Sequence, residues 1–144
     1  MFSKACEYGV RAVIFIATQS LAVKRVGIKE IAEEIDSPIA FTAKILQKLV
    51  KGNIVKSAKG VGGGFMIDIK KLEDIKLIEI IEAIDGVSAL KGCGLGLKDC
   101  SENHPCPIHD QFKVIKENIT RMLESTTLGQ MTRDIESGRT FLKY

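Results

Sequence analysis

No stretch of the 144-residue chain approaches the roughly 18 consecutive apolar residues that a membrane-spanning helix needs. The first apolar stretch carries Glu7 and Arg11, which a secretory leader would not hold in its hydrophobic segment. Both absences place the protein in the cytoplasm. Four cysteines in that compartment read as metal ligands or redox thiols before they read as structural disulfides. The chain shows no internal repeat and no low-complexity segment. It has no pairing of a nucleophile with a base and no substrate motif, so no enzyme is expected. Its glycine run lacks the Gly-Lys-Ser/Thr ending of a phosphate loop and opens no helix, which argues against nucleotide binding.

What is present suits one compact domain. Hydrophobic residues make up 45% and charged residues 27%, enough for a buried core and too apolar for disorder. The net charge of +3 is small, but it is unevenly spread. Residues 1–71 hold 12 Lys and Arg against 6 Asp and Glu, whereas residues 72–144 hold 9 against 12. A basic front half fits either a polyanion such as nucleic acid or an ordinary solvated surface.

Apolar spacing predicts a helix over residues 4–20, with Cys6, Val10, Val13 and Ala17 as its stripe and Ala5, Ala12 and Ile16 widening it. A short helix follows near 28–35. Asp36-Ser37-Pro38 then gives a stop and a restart, with Ser37 as cap and Pro38 at the first helical position. The next helix carries Phe41, Ile45, Leu46 and Leu49 inward and ends at Gly52. Two short helices around a tight break follow helix-turn-helix logic. Residues 54–57 and 65–67 read as strands joined by Lys59-Gly60-Val61-Gly62-Gly63-Gly64, a hairpin with a glycine-rich tip, which after a helix-turn-helix is a wing. Further helices are predicted over 74–85, over 110–125 with Phe112, Ile115, Ile119, Met122 and Leu123 on one face, and over a short last segment capped by Thr126-Thr127. The long helix needs a partner for its stripe, and a twofold mate is the commonest solution. The expected fold is mainly α with a small β-hairpin wing. It divides into a winged helix-turn-helix at 1–86, a cysteine-rich loop at 87–109, and a dimerisation helix with its tail at 110–144.

On this fold, duplex reading falls to the outward side of the second helix: Ala40, Thr42, Ala43, Lys44, Gln47 and Lys48. Gln47 suits an adenine edge, the two lysines suit guanine or phosphate, and the alanines allow close approach to a thymine methyl. In the wing, Lys56 and Lys59 sit where they reach phosphate or the minor groove, and Gly62 and Gly63 let the tip approach the backbone.

Cys93, Cys100 and Cys106 lie within 14 residues, with His109 just after them. Three thiolates so close would repel if ionised without a metal. Soft sulfur matches an iron–sulfur centre. Zinc is the rival, since three cysteines and a histidine form an accepted structural set, although no Cys-x2-Cys pair is present. Metal-free thiol sensing is the other alternative. His109 is either a ligand brought close by Cys106-Pro107-Ile108 or a surface histidine at the start of a helix. Cys6, on an apolar stripe, is a small hydrophobe. An electron carrier would use the same cysteines, but it needs neither recognition helix nor wing.

Together these residues resemble the IscR/NsrR (Rrf-type) winged-helix transcription regulators of bacteria over essentially the full length. The resemblance rests on Glu7-Tyr8-Gly9-Val10-Arg11-Ala12, Ile31-Ala32, Lys44-Ile45-Leu46-Gln47-Lys48-Leu49, Gly60-Val61-Gly62-Gly63-Gly64-Phe65, the cysteine loop and Thr126-Thr127-Leu128. It implies a homodimer on operator DNA, with a [2Fe-2S] or [4Fe-4S] cluster near the dimer interface. Cys93, Cys100 and Cys106 take the positions of the family's thiolate ligands. The fourth ligand is then His109, or Glu7 from the first helix of the partner subunit; without ligation, Glu7 would pair with Arg11 at i,i+4. One departure stands out: six residues separate Cys93 from Cys100, where the family usually has five. The implied function is a transcription regulator that senses redox state, nitric oxide or iron–sulfur status.

Overall fold

The computed structural model describes residues 2–88 and 90–143. Met1, Ala89 (inside the expected cysteine loop) and Tyr144 lie outside the described residues. The first helix, α1 (Lys4–Leu21), starts where Ser3 Oγ accepts the Cys6 N–H at 3.0 Å, a side-chain N-cap that satisfies one orphan donor. It buries Cys6, Gly9, Ala12, Val13, Ile14, Ile16 and Ala17, so it is covered on more than one side. Around it pack α2 (Ile28–Glu34), α3 (Ile39–Lys51), α4 (Leu77–Asp85) and α6 (Leu128–Glu136). The helix α5 (His109–Ser125) lies against α4.

The break between α2 and α3 differs in detail from expectation. Ser37 is buried and caps nothing; Pro38 is itself the cap residue, and its carbonyl takes the first helical bond from the Thr42 N–H at 2.9 Å. Gly52 closes α3 as expected. The strands are β1 (Lys56–Ala58) and β2 (Gly64–Met66), antiparallel with Ser57 opposite Phe65. Ile54 and Val55, expected in the first strand, are core residues whose N–H groups both turn back to the Leu49 carbonyl. Val26 exchanges two backbone bonds with Phe65, at 2.8 and 3.1 Å, and so adds a third short edge to the wing.

The α4 helix begins three residues later than its apolar spacing predicts. The backbone around it is already committed: Leu77 N–H bonds the Thr126 carbonyl, and the Ile75 carbonyl accepts from Leu128 N–H. That small ladder ties the start of α4 to the turn between α5 and α6. Thr127 caps α6, accepting the Gln130 N–H at 3.1 Å, while Thr126 closes α5. Consequently α6, expected as part of a tail, packs on α1 and buries Leu128 completely.

The core is aliphatic: Ile16, Ile31, Ile45, Leu46, Leu49, Ile80, Ile81, Leu123 and Leu128 are all essentially inaccessible. Each such side chain contributes about 1.5–3 kcal/mol of transfer free energy. Gly9 lets α1 and α4 touch. A Cβ there would lie 2.1 Å from Ile84 Cδ1 and 3.2 Å from Ile45 Cγ2. Gly9→Val is therefore expected to lose about 1–3 kcal/mol by overpacking, measured as a lower urea midpoint at unchanged slope. The few tenths of a kcal/mol that valine gains over glycine in a helix do not offset this.

Candidate functional site

The helix α3 presents Ala40, Lys44 and Gln47 to solvent, with Ala43 half-buried beside them. Two expected members of this face sit elsewhere. Thr42 is fully buried and donates to the Pro38 carbonyl at 3.0 Å; at 100° per residue it falls on the Ile45–Leu49 side, so it is not a base-reading residue. Lys48 lies on the flank, and its Nζ donates to the Ile84 carbonyl of α4 at 2.8 Å. Lys51, exposed and seven residues beyond Lys44, was missed, although that spacing alone puts it on the outward face. Arg25 was also missed. It is exposed beside Val26 on the edge of the wing, and only the Val26–Phe65 pairing reveals that position.

At the wing tip, Gly63 N–H closes a turn onto the Gly60 carbonyl at 3.0 Å, with Gly62 at φ +77°. That is a type II turn, which needs a positive φ at its third residue. Val61 and Lys59 project from it, both exposed. Gly63 has no room for a side chain: a Cβ would lie 2.4 Å from the Ala58 carbonyl oxygen. Lys56 is less free than expected, with its Nζ 3.9 Å from the Asp68 carboxylate.

The cysteine loop leaves α4 at Gly86, whose φ of +89° turns the chain away from the helix. Cys93 and Cys106 are half-buried, Cys100 is exposed, and all are free thiols. Backbone N–H groups of Leu95 and Leu97 directed at the Cys93 sulfur hold its thiol below the ordinary value; the Cys106 side chain and the Lys116 ammonium act the same way, against desolvation. Cys100 Sγ lies 3.6 Å from His109 Nδ1. Far from being a surface residue, His109 is 6% exposed, and its Nε2 has no hydrogen-bond partner among the described residues. The donors thus stand as two pairs, Cys93 with Cys106 and Cys100 with His109. Among the described residues, no three His, Cys, Asp or Glu side chains already converge on one metal position.

Glu7 does not pair with Arg11. Its carboxylate meets Lys4 at 3.0 Å, while Arg11 lies over the Tyr8 ring at 4.8 Å and donates to the Glu7 carbonyl. Burial pushes the Cys6 thiol up to about 11, with Asp85 and Glu7 adding to it. Glu7 sits in the first turn of α1, the end that meets the last residue of α4. Ser3 Oγ donates to the Asp85 carboxylate there at 2.6 Å. Thiol chemistry should follow these environments, because thiolate is the reacting form. In native metal-free protein, iodoacetamide is expected to label Cys93 first and Cys6 last, read by peptide mass mapping against time.

The Rrf2 family model, described as an iron-dependent transcriptional regulator, matches residues 2–134. The chain belongs to the Rrf2 family. It is 30% identical over 133 residues to an HTH-type transcriptional regulator of Aquifex aeolicus, covering 91% of this chain and 90% of that one. The regulator IscR of Vibrio cholerae is 29% identical over 130 residues, covering 90% and 73%. Among solved structures, CymR, the global cysteine regulator of B. subtilis, superposes at a TM-score of 0.76 with 20% identity over 92% of this chain and 96% of CymR. An IscR from T. potens superposes at 0.73 with 24% identity over 100% and 94%. The Rrf2 chain is therefore a DNA-binding, winged-helix transcription regulator and not an enzyme. No helix among its described residues is long and apolar enough to cross a membrane.

One further surface of the Rrf2 chain bears on function. Phe112, Ile115, Ile119 and Met122 recur along α5 at alternating three- and four-residue steps, and Ile115 and Met122 are about half exposed (53% and 49%). That is the a/d spacing of a helix seeking a second helix.

Proposed function

We propose that the chain works in the cytoplasm as a homodimer joined along α5, and that an iron–sulfur cluster held by Cys93, Cys100 and Cys106 sets its affinity for operator DNA. The observation that carries this reading is the placement of three free thiols in the loop that leaves the end of α4, where α3 is already attached through Lys48. The donor set fits such a group. Thiolate sulfur is the ligand type for iron–sulfur centres, and the His109 Nδ1 nitrogen lies 3.6 Å from the Cys100 sulfur. When bound, the cluster supplies a soft-ligand tie that oxidation, nitric oxide or iron loss can break. His109 is the fourth ligand on this chain's own geometry, with Glu7 of the partner subunit the alternative.

The chain's residues do the rest. Lys44 and Gln47 meet base edges or phosphate, Lys51 and Arg25 add backbone contacts, and Lys59 with Gly62 and Gly63 brings the wing tip to the minor groove. Lys48 and Ser3–Asp85 carry a shift of α4 to α3 and α1. The functional division follows: residues 1–86 read DNA, 87–109 sense, and 110–144 dimerise, with α6 also buttressing α1. A metal-free thiol switch is the second reading, favoured by the lowered Cys93 thiol beside Cys106. Zinc is the third, and it lacks the paired-cysteine spacing.

Titrating labelled operator with cluster-bearing and metal-free protein at one fixed salt concentration tests the switch; equal affinities would overturn it. Lys44→Ala and Lys59→Ala are each expected to weaken binding and to lower the slope of log K against log salt by about 1, read by repeating the titration at several salt concentrations.

A further inference from the structure

The helix α5 turns a polar side toward α4. Lys116 and Thr120 look onto Ile78 and Ile81, and between the helices runs a cleft of about 500 Å³ that ends at Leu90 and the cysteine loop. Clefts of that size accept small organic ligands. Its polar groups are unequally occupied. Lys113 is spent on an ion pair with Glu102. Among the described residues, the Lys116 ammonium of this half-buried side chain reaches the Lys91 and Gly92 carbonyls, at 3.5 and 3.4 Å, and no carboxylate lies within ion-pair distance of it. At the same end His109, 94% buried, lines the cleft with a ring whose Nε2 is unsatisfied among the described residues. Leaving a buried polar atom without a partner is costly, and a ligand atom would recover that cost.

We propose that the α4–α5 cleft binds a small monocarboxylate with a short branched apolar body. The carboxylate lies between Lys116 Nζ and His109 Nε2–H, a charge-assisted pairing, and the body covers Ile78, Ile81 and Leu90. Donation from Nε2 leaves Nδ1, on the opposite edge of the ring, facing the Cys100 sulfur at 3.6 Å. Glu82, Glu117 and Glu124 line the remaining wall and repel a second acid group, which selects against dicarboxylates. The shared chemistry is that of branched fatty acids and of apolar α-amino acids, and the latter would place their ammonium against this acidic wall.

Calorimetric titration of the anaerobically isolated protein separates the outcomes. The probes are 4-methylpentanoate, leucine, 4-methylpentan-1-ol and inorganic phosphate. Saturable binding of either acid, with none by the alcohol, is expected; whichever acid binds tighter identifies the source. Lys116→Met and the cleft-filling Thr120→Trp are each expected to weaken that acid at least about tenfold. No saturable binding by either acid overturns the proposal. So does equal binding by phosphate, which marks a merely basic surface, or undiminished affinity in Lys116→Met, a variant that leaves the core intact should Thr120→Trp not fold. Binding requires no cluster, so this result and the operator switch stand or fall separately.

Discussion

Serine at Cys93, Cys100 and Cys106 together is expected to remove iron and visible absorption from anaerobically purified protein, and to bring operator affinity to the metal-free value at every iron status. The exchange conserves size but replaces soft, ionisable sulfur with a hydroxyl that neither deprotonates nor holds iron at neutral pH. The coupling at stake is of the usual order for two linked sites, about 1–3 kcal/mol, or roughly 5- to 150-fold in affinity. Cys6→Ala is the matched control. Cys6 is fully buried in α1 and its thiol is pushed up to about 11, so that variant loses some packing and keeps its iron. Iron and sulfide analysis with an operator titration checks both. Retained iron in the triple variant, or an unchanged difference between iron-loaded and stripped forms, ends the cluster reading.

Much of this architecture was legible because it is local. The α1 stripe, the stop at Gly52 and the wing glycines are each written in a few adjacent residues, and the resemblance carried by the same motifs led to the right family. What failed depended on distant partners. Ile54 and Val55 look like strand residues by type, yet they are core because Leu49 receives their N–H groups. The helical pattern from residue 74 is real, but the strand-like exchange with residues 126–128 takes the backbone that helix would need. Thr42, expected on the outward side of the second helix, is buried, in line with a helical angle that puts it beside Ile45 and Leu49. In the cysteine loop, the residue types were visible and the pairing of Cys100 with His109 was not. Nothing in the sequence fixes how deeply a histidine at a helix start is buried.

Lys48→Met is expected to leave fold and operator recognition nearly intact while abolishing the difference between cluster-bearing and metal-free protein. Methionine keeps most of the apolar stem that lies along α3 and deletes only the ammonium that reaches Ile84. The bond joins an exposed side chain to the last turn of a helix, so its loss costs about 1 kcal/mol or less. Its position gives it consequence beyond that energy. Ile84 stands three residues before the cysteine loop, and Lys48 belongs to the helix proposed to read the duplex. On the proposed reading, a tie there would convert a displacement of the loop's root into a rotation of the reading face, the two-state linkage that regulation requires. Lys48→Arg, which keeps a long cationic donor, should restore the difference. Salt dependence separates this role from the phosphate contact that, with guanine, the sequence suggests for Lys48. A phosphate-binding lysine lowers the slope of log K against log salt by about 1 when it is removed, whereas a lysine that only couples α3 to α4 leaves the slope where it was. An unchanged slope with a collapsed affinity difference assigns Lys48 to the linkage. A reduced slope with the difference preserved returns it to the duplex and leaves Ser3–Asp85 as the route from α4 to α1.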